Sequence, residues 1–103
     1  MIDLRAVEER DLRIGAKGAK VALLDVDLAR RSLLALLRSS KTLDDLPTPT
    51  GIKHAGKQYV ALIGKYDVAA IYRVRNDLQL KRMRRIPQPV VYAAELERRA
   101  VHV

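Results

Sequence analysis

The stretch KQYVALIGKYDVAAIYRVRNDLQLKRMRRI, residues 57–86, decides the fold. It holds three runs rich in Val, Ile and Tyr: Lys57–Ile63, Val68–Arg75 and Leu80–Ile86. Such residues favour extended, pleated backbone. Gly64-Lys-Tyr-Asp67 and Asn76-Asp-Leu-Gln79 are turn-sized gaps between the runs, and Pro87 and Pro89 stop the third. Three strands joined by such short turns predict an antiparallel meander.

Outward from this stretch the pattern changes. Leu4, Val7 and Leu12 give a short amphipathic helix over residues 3–13, with acids in its first turn. Residues 15–20, Gly-Ala-Lys-Gly-Ala-Lys, read as a break between helices. Ala19 to Arg38 is rich in Ala, Leu and Arg and is read as helix throughout. The alternative takes Asp25 or Asp27 as an N-cap, with a short strand over residues 20–26 feeding a helix over 28–38. Ser39 and Ser40 end the helix, and residues 42–45 fit a capped turn. Pro47-Thr-Pro-Thr-Gly51 cannot continue a helix and reads as a connector. Residues 90–99 suit a short last helix. The expected fold is α+β: N-terminal helices packed on a three-stranded antiparallel meander, with a short C-terminal helix. It forms one domain, with a helical half at 1–46, a connector at 47–52, the meander at 53–87 and a tail at 88–103.

The chain has 103 residues, of which 49% are hydrophobic, enough for a single core and too many for a disordered tail. There is no cysteine, which excludes a disulfide scaffold and a thiolate metal site. Without Phe or Trp the core must be aliphatic. The N-terminus lacks the basic and apolar regions of a secretory signal. The richest apolar stretch, residues 21–37, holds Asp25, Asp27, Arg30 and Arg31, so it is no membrane span. A cytoplasmic protein is expected.

The formal net charge is +8, and it is unevenly placed. Residues 1–50 carry nine Lys/Arg and eight Asp/Glu, whereas residues 51–103 carry eleven and four. Between Arg73 and Arg85 six basic residues accompany the single acid Asp77. Localised charge points to a binding face better than total charge does. A second turn centred on Asp77-Leu78 would set Arg73 opposite Arg82, Ile71 opposite Arg84 and Tyr72 opposite Met83. A first turn over residues 64–67 would set Ile63 opposite Val68 and Tyr59 opposite Tyr72. One sheet face would then carry Tyr59, Ala61, Ile63, Ala70, Tyr72, Val74 and Met83, edged by Lys81 and Arg85, as the core side. The other would gather Gln58, Arg73, Arg75, Arg82 and Arg84 beside Val60, Leu62 and Ile71. Like charges opposed across strands repel, so such a face requires screening by solvent or by an anionic partner. Guanidinium groups bind phosphate in two-pronged fashion, which makes this a candidate phosphate-binding surface. A solvated face that resists aggregation is the alternative.

Other features carry less. Residues 15–20 lack the spacing and the Ser/Thr of a phosphate-binding loop. His54 and His102 stand far apart without clustered acids, so no metal or cofactor is expected. The block Leu33, Leu34, Leu36 and Leu37 exceeds one narrow stripe and offers either core burial or a homodimer contact. Tyr59, Tyr66, Tyr72 and Tyr92 are too sparse for a base-stacking platform.

Two resemblances follow. His54-Ala-Gly-Lys-Gln-Tyr-Val-Ala-Leu62, with residues 70–77 and 80–87, resembles small proteins carried by integrative conjugative elements and related mobile DNA of proteobacteria. That resemblance covers about a third of the chain and implies a bacterial cytoplasmic protein near transfer or regulatory genes. The order of two helices, basic antiparallel sheet and short tail is similar to the RelE/ParE toxin superfamily. It implies RNA cleavage, with Arg73, Arg82 and Tyr92 as the positions to test. No strand is read before the first helix, and no motif of that superfamily carries over.

The expected function is non-enzymatic nucleic-acid binding, DNA rather than RNA, in a regulatory or accessory role. Arg73, Arg75, Arg82 and Arg84 would make the contacts, with Lys81, Arg85 and Gln58 beside them. The alternatives are a module that dimerises or binds an acidic partner, and a RelE-like toxin.

Overall fold

The computed structural model describes residues 14–39 and 46–101. Its centre is one five-stranded antiparallel sheet whose strands neighbour one another in chain order. The strands are β1 (Ala19–Ala22), β2 (Thr48–His54), β3 (Lys57–Ile63), β4 (Val68–Val74) and β5 (Leu80–Arg82). Helix α1 (Val26–Ser39) joins β1 to β2, and α2 (Gln88–Val101) follows β5. The three-stranded sheet under N-terminal helices is therefore overturned. The helix expected at 3–13 and the capped turn at 42–45 fall outside the described residues.

The first correction lies at Asp25. Its Oδ1 accepts hydrogen bonds from the backbone N–H groups of Asp27 (2.7 Å) and Leu28 (3.4 Å). This is an N-cap, and it starts α1 at Val26 rather than at Ala19. With the helix begun so late, Ala19–Ala22 is free to pair with β2. Residues 15–20 thus lead into a strand instead of linking two helices. Along α1, Leu28, Ser32 and Leu36 recur at helical spacing and turn inward. The buried Ser32 hydroxyl donates to the Ala29 carbonyl at 2.8 Å, so it leaves no orphan polar group.

The second correction is β2, which uses the supposed connector. Proline is confined to places where a strand needs no outward N–H. Pro49 pairs with Leu62 of β3, while β1 reaches only as far as Gly51 on the other side. At Pro49, β2 is an edge strand and the missing N–H costs nothing. At Gly51 a Cβ would meet the Ala22 carbonyl oxygen at 2.6 Å, so only glycine permits β1 to end there.

Both sheet faces are covered. On one, Ile52, Tyr59, Ala61, Ile63, Val68 and Ile71 pack with Val90, Ala93 and Ala94 of α2. On the other, Val60, Leu62, Ala70 and Tyr72 pack with Leu36 of α1. Alternate residues of β3 therefore serve two cores, and all of Tyr59–Ile63 is buried. A continuous apolar run is the mark of a strand covered on both sides. Each large aliphatic side chain so buried contributes about 1.5–3 kcal/mol. In α2, Pro89 occupies the first turn, where its missing N–H has no helical partner to lose, so the helix runs on past it.

Candidate nucleic-acid interface

Two backbone details displace the expected register by one residue each. In the β3–β4 hairpin, Ile63 faces Val68 as expected, but Leu62 faces Ala70, so Ala69 is an extra residue forming a bulge. Tyr59 consequently faces Arg73 instead of Tyr72. In the β4–β5 hairpin the loop has three residues, Asn76-Asp77-Leu78, rather than two central ones. Leu78 takes a left-handed conformation (φ 63°), its N–H donates to the Arg75 carbonyl, and the Arg75 N–H donates to the Gln79 carbonyl, both at 2.8 Å. A type I turn closed by a left-handed residue is a recognised three-residue hairpin. Arg73 then faces Lys81, and Tyr72 faces Arg82.

One residue of slip exchanges the faces of a strand, so the four expected arginines are not gathered on one face. Arg73 lies on the α2 side of the sheet, with Lys81 opposite. Arg82 lies on the α1 side, its guanidinium 5.9 Å from the centre of the Tyr72 ring. Arg84 and Arg85 are exposed in the bend after β5, which ends at Arg82 rather than at Ile86. Gln58 is half-buried on the α1 side, opposite Lys53 and Val74. The positions implied by the toxin resemblance are likewise separated, because Arg82 lies across the sheet from Arg73 and Tyr92.

A different group forms at one end of the sheet. There β1 begins, the β2–β3 turn reverses and the β4–β5 turn reverses. Arg73 and Lys81 are directly opposed on the α2 side, with Arg75 two residues beyond. Lys20 and Lys53 are directly opposed on the other side, and Lys57 stands between, opposite His54. Four strand spacings make this rim roughly 19 Å wide. The β2–β3 turn is tight: Ala55 and Gly56 both have positive φ (51° and 75°), the type I′ pattern. A groove of about 630 Å³ on one side of the turn carries Lys57, Arg73 and Arg75. One of about 510 Å³ on the other carries Lys20, Lys53 and His54.

Among the described residues the rim holds little negative charge. Asp77 lies 3.9 Å from Arg75 Nε, and its Oδ1 also accepts the Gln79 N–H at 3.1 Å. His54 Nδ1 is 3.1 Å from the Gly18 carbonyl oxygen. A carbonyl only accepts, so this ring nitrogen carries a proton and ties the start of β1 to the end of β2. Among the described residues no cluster of His, Asp and Glu could hold a metal ion.

Lys20, Lys53 and Lys57 escaped the sequence reading. The signal for them was the pair of lysines flanking Ala55-Gly56, a two-residue gap between extended runs, and the nearby prolines concealed it. In the leucine block, Leu33 and Leu36 turn to the sheet, while Leu34 and Leu37 are 43% and 44% exposed. No helix among the described residues is long and apolar enough to cross a membrane.

The fold and rim together define an α+β protein with a doubly covered five-stranded meander and a basic sheet end. Comparison with protein-family models, with curated proteins and with solved structures gave no match.

Proposed function

We propose that this chain binds nucleic acid, duplex DNA in preference to RNA, as a small non-enzymatic protein of regulatory or accessory role. The carrying observation is the pair of like-charged cross-strand contacts, Arg73 with Lys81 and Lys20 with Lys53, at one end of the sheet. Repulsion at such pairs costs stability unless anions occupy the space between them. Phosphate oxygens along a DNA backbone supply such anions at regular spacing. Tyr59 and Tyr72 are buried, so the sheet offers no aromatic platform for the unstacked bases that RNA-binding sheets read. Backbone contact with a duplex is the mode that remains.

Fluorescence anisotropy with a duplex of about 20 base pairs, titrated at about 50 to 200 mM salt, tests the reading. Log affinity should fall linearly with log salt, by about 0.9 per phosphate neutralised. Arg73→Ala/Lys81→Ala should lower both affinity and slope, whereas Arg82→Ala/Arg84→Ala should leave the slope unchanged. Absent or salt-independent binding at low salt would sink the proposal.

A further inference from the structure

The basic rim is not flat. Gly56, Lys57 and Gln58 line both of its grooves, so the β2–β3 turn is the wall between them. Ala55 and Gly56 at the crest of that wall are exposed. Among the described residues, nothing lies within 4 Å of where a Gly56 Cβ would stand. The crest is therefore a narrow ridge, capped by the two smallest residue types.

Cations flank this ridge on both sides. By successive pairing, Lys20, Lys53, Gln58 and Val74 lie on one line across the sheet. Lys20 and Lys53 project on the α1 side, whereas Arg73, next to Val74, projects on the α2 side. From β1 to β4 there are three strand spacings, about 14 Å. Among the described residues, Asp77 is the one acid lining either groove, and it stands 3.9 Å from Arg75 Nε.

We infer that the β2–β3 turn enters the major groove of duplex DNA, with Lys20 and Lys53 on the phosphates of one strand and Arg73 on those of the other. This rests on the nucleic-acid reading above and adds to it the groove that is entered. The major groove is about 12 Å wide and about 8.5 Å deep, and it admits a two-stranded ribbon. The minor groove, about 6 Å wide, does not. Cation sets about 14 Å apart at the backbone stand over the two walls of the first and overshoot those of the second. Ala55 and Gly56 bring no side-chain donor or acceptor to the base edges. Contact is then by shape and phosphate, indifferent to base order. The major groove of A-form RNA is deep and too narrow for such a ridge.

Fluorescence anisotropy of the full chain with three DNA duplexes of one sequence tests the placement. One duplex is unmodified, one carries glucosylated 5-hydroxymethylcytosine for cytosine, and one carries N2-isobutylguanine for guanine. The first modification fills the major groove and the second the minor groove, and neither alters the phosphate charge. Affinity for the glucosylated duplex should fall about tenfold or more, while affinity for the isobutyl duplex should stay within about twofold. Lys20→Ala/Lys53→Ala should weaken binding to the unmodified duplex about as much as Arg73→Ala/Lys81→Ala does. Gln pairs replace the Ala pairs if circular dichroism shows a loss of fold. Duplex RNA of the same sequence should compete at least about tenfold less well than the DNA. The groove assignment is overturned, with DNA binding intact, if the glucosylated duplex binds as the unmodified one does. It is equally overturned if the isobutyl duplex loses as much affinity or more, if the Lys20/Lys53 variant binds normally, or if duplex RNA competes as well as DNA. No binding to the unmodified duplex overturns both readings together.

Discussion

Arg73 of β4 and Lys81 of β5 stand directly opposite each other on the α2 side of the sheet. Neighbours in that position are about 4.5–5.5 Å apart at Cβ, close enough for like charges to repel. A bound phosphate would convert that repulsion into attraction from both sides.

The pair therefore separates stability from binding. Lys81→Glu replaces the repulsion with a cross-strand ion pair and should stabilise the fold by about 0.2–1 kcal/mol. The same change should weaken DNA binding. Urea midpoints and anisotropy on one preparation check both. A gain in stability with unchanged binding would mark the pair as a merely solvated feature.

Ala55 occupies a left-handed position (φ 51°) in the β2–β3 turn, a conformation that costs a residue with a Cβ about 1–2 kcal/mol. Asparagine tolerates it, and Asn-Gly is the favoured pair for this turn. Ala55→Asn should therefore raise stability by about 1 kcal/mol, seen as a higher urea midpoint with an unchanged slope. A neutral or lowered midpoint would contradict the turn geometry.

Tyr72 titrates unusually. Burial pushes its phenol above the ordinary 10.0, and the nearby Arg82 draws it partly back. Because the folded value exceeds the unfolded one, the stabilising contribution is fully present below pH 10.0 and is lost as pH rises through the folded value. Tyr72→Phe should flatten the fall of melting temperature above about pH 10. Equal slopes for variant and parent would show that some other group governs the alkaline limb.

Glu95 is 1% exposed on α2. Its Oε2 accepts from Arg98 Nε at 2.9 Å, and its Oε1 accepts from Arg98 Nη2 and from Arg99 Nε, the latter at 3.2 Å. The bond to Glu95 holds the Arg98 guanidinium above its ordinary value. Arg98 Nη1 also donates to the Lys65 carbonyl at 3.4 Å, which joins the end of α2 to the β3–β4 turn. Glu95→Ala should cost about 2–3 kcal/mol, more than a surface ion pair but less than a wholly buried one, since both arginines reach solvent. Arg99→Ala should cost under about 1 kcal/mol, and chemical denaturation of the two variants tests that order.

Much of the local structure was legible. β3 spans the expected residues 57–63, β4 ends one residue early, and α2 covers the expected 90–99. These segments have strong local composition, and propensity acts over a few residues. β2 was hidden, and β1 stood only in the alternative that capped a helix at Asp25 or Asp27, for a physical reason. Ala19–Ala22 has helix-forming residues and becomes a strand only by pairing, while Pro49 fits β2 only because its neighbour stops at Gly51. Both facts belong to partners distant in sequence. The two-sided burial of Tyr59–Ile63 was present in the apolar run itself, but a period-two reading assigned half of it to solvent.

By itself, the sequence determined where the positive charge lies along the chain, where two of the three hairpins turn, and that the core is built without Phe or Trp. These depend on composition and on residues adjacent in the chain. Tertiary structure decided which charges meet. One bulged residue, Ala69, and one left-handed residue, Leu78, each shift a strand pairing by a single position. Neither alanine nor leucine announces such a conformation, since it is imposed by the packing of strands on two helices. In a sheet with a two-residue repeat, that single step moved Arg82 across the sheet from Arg73 and set Lys81 in its place.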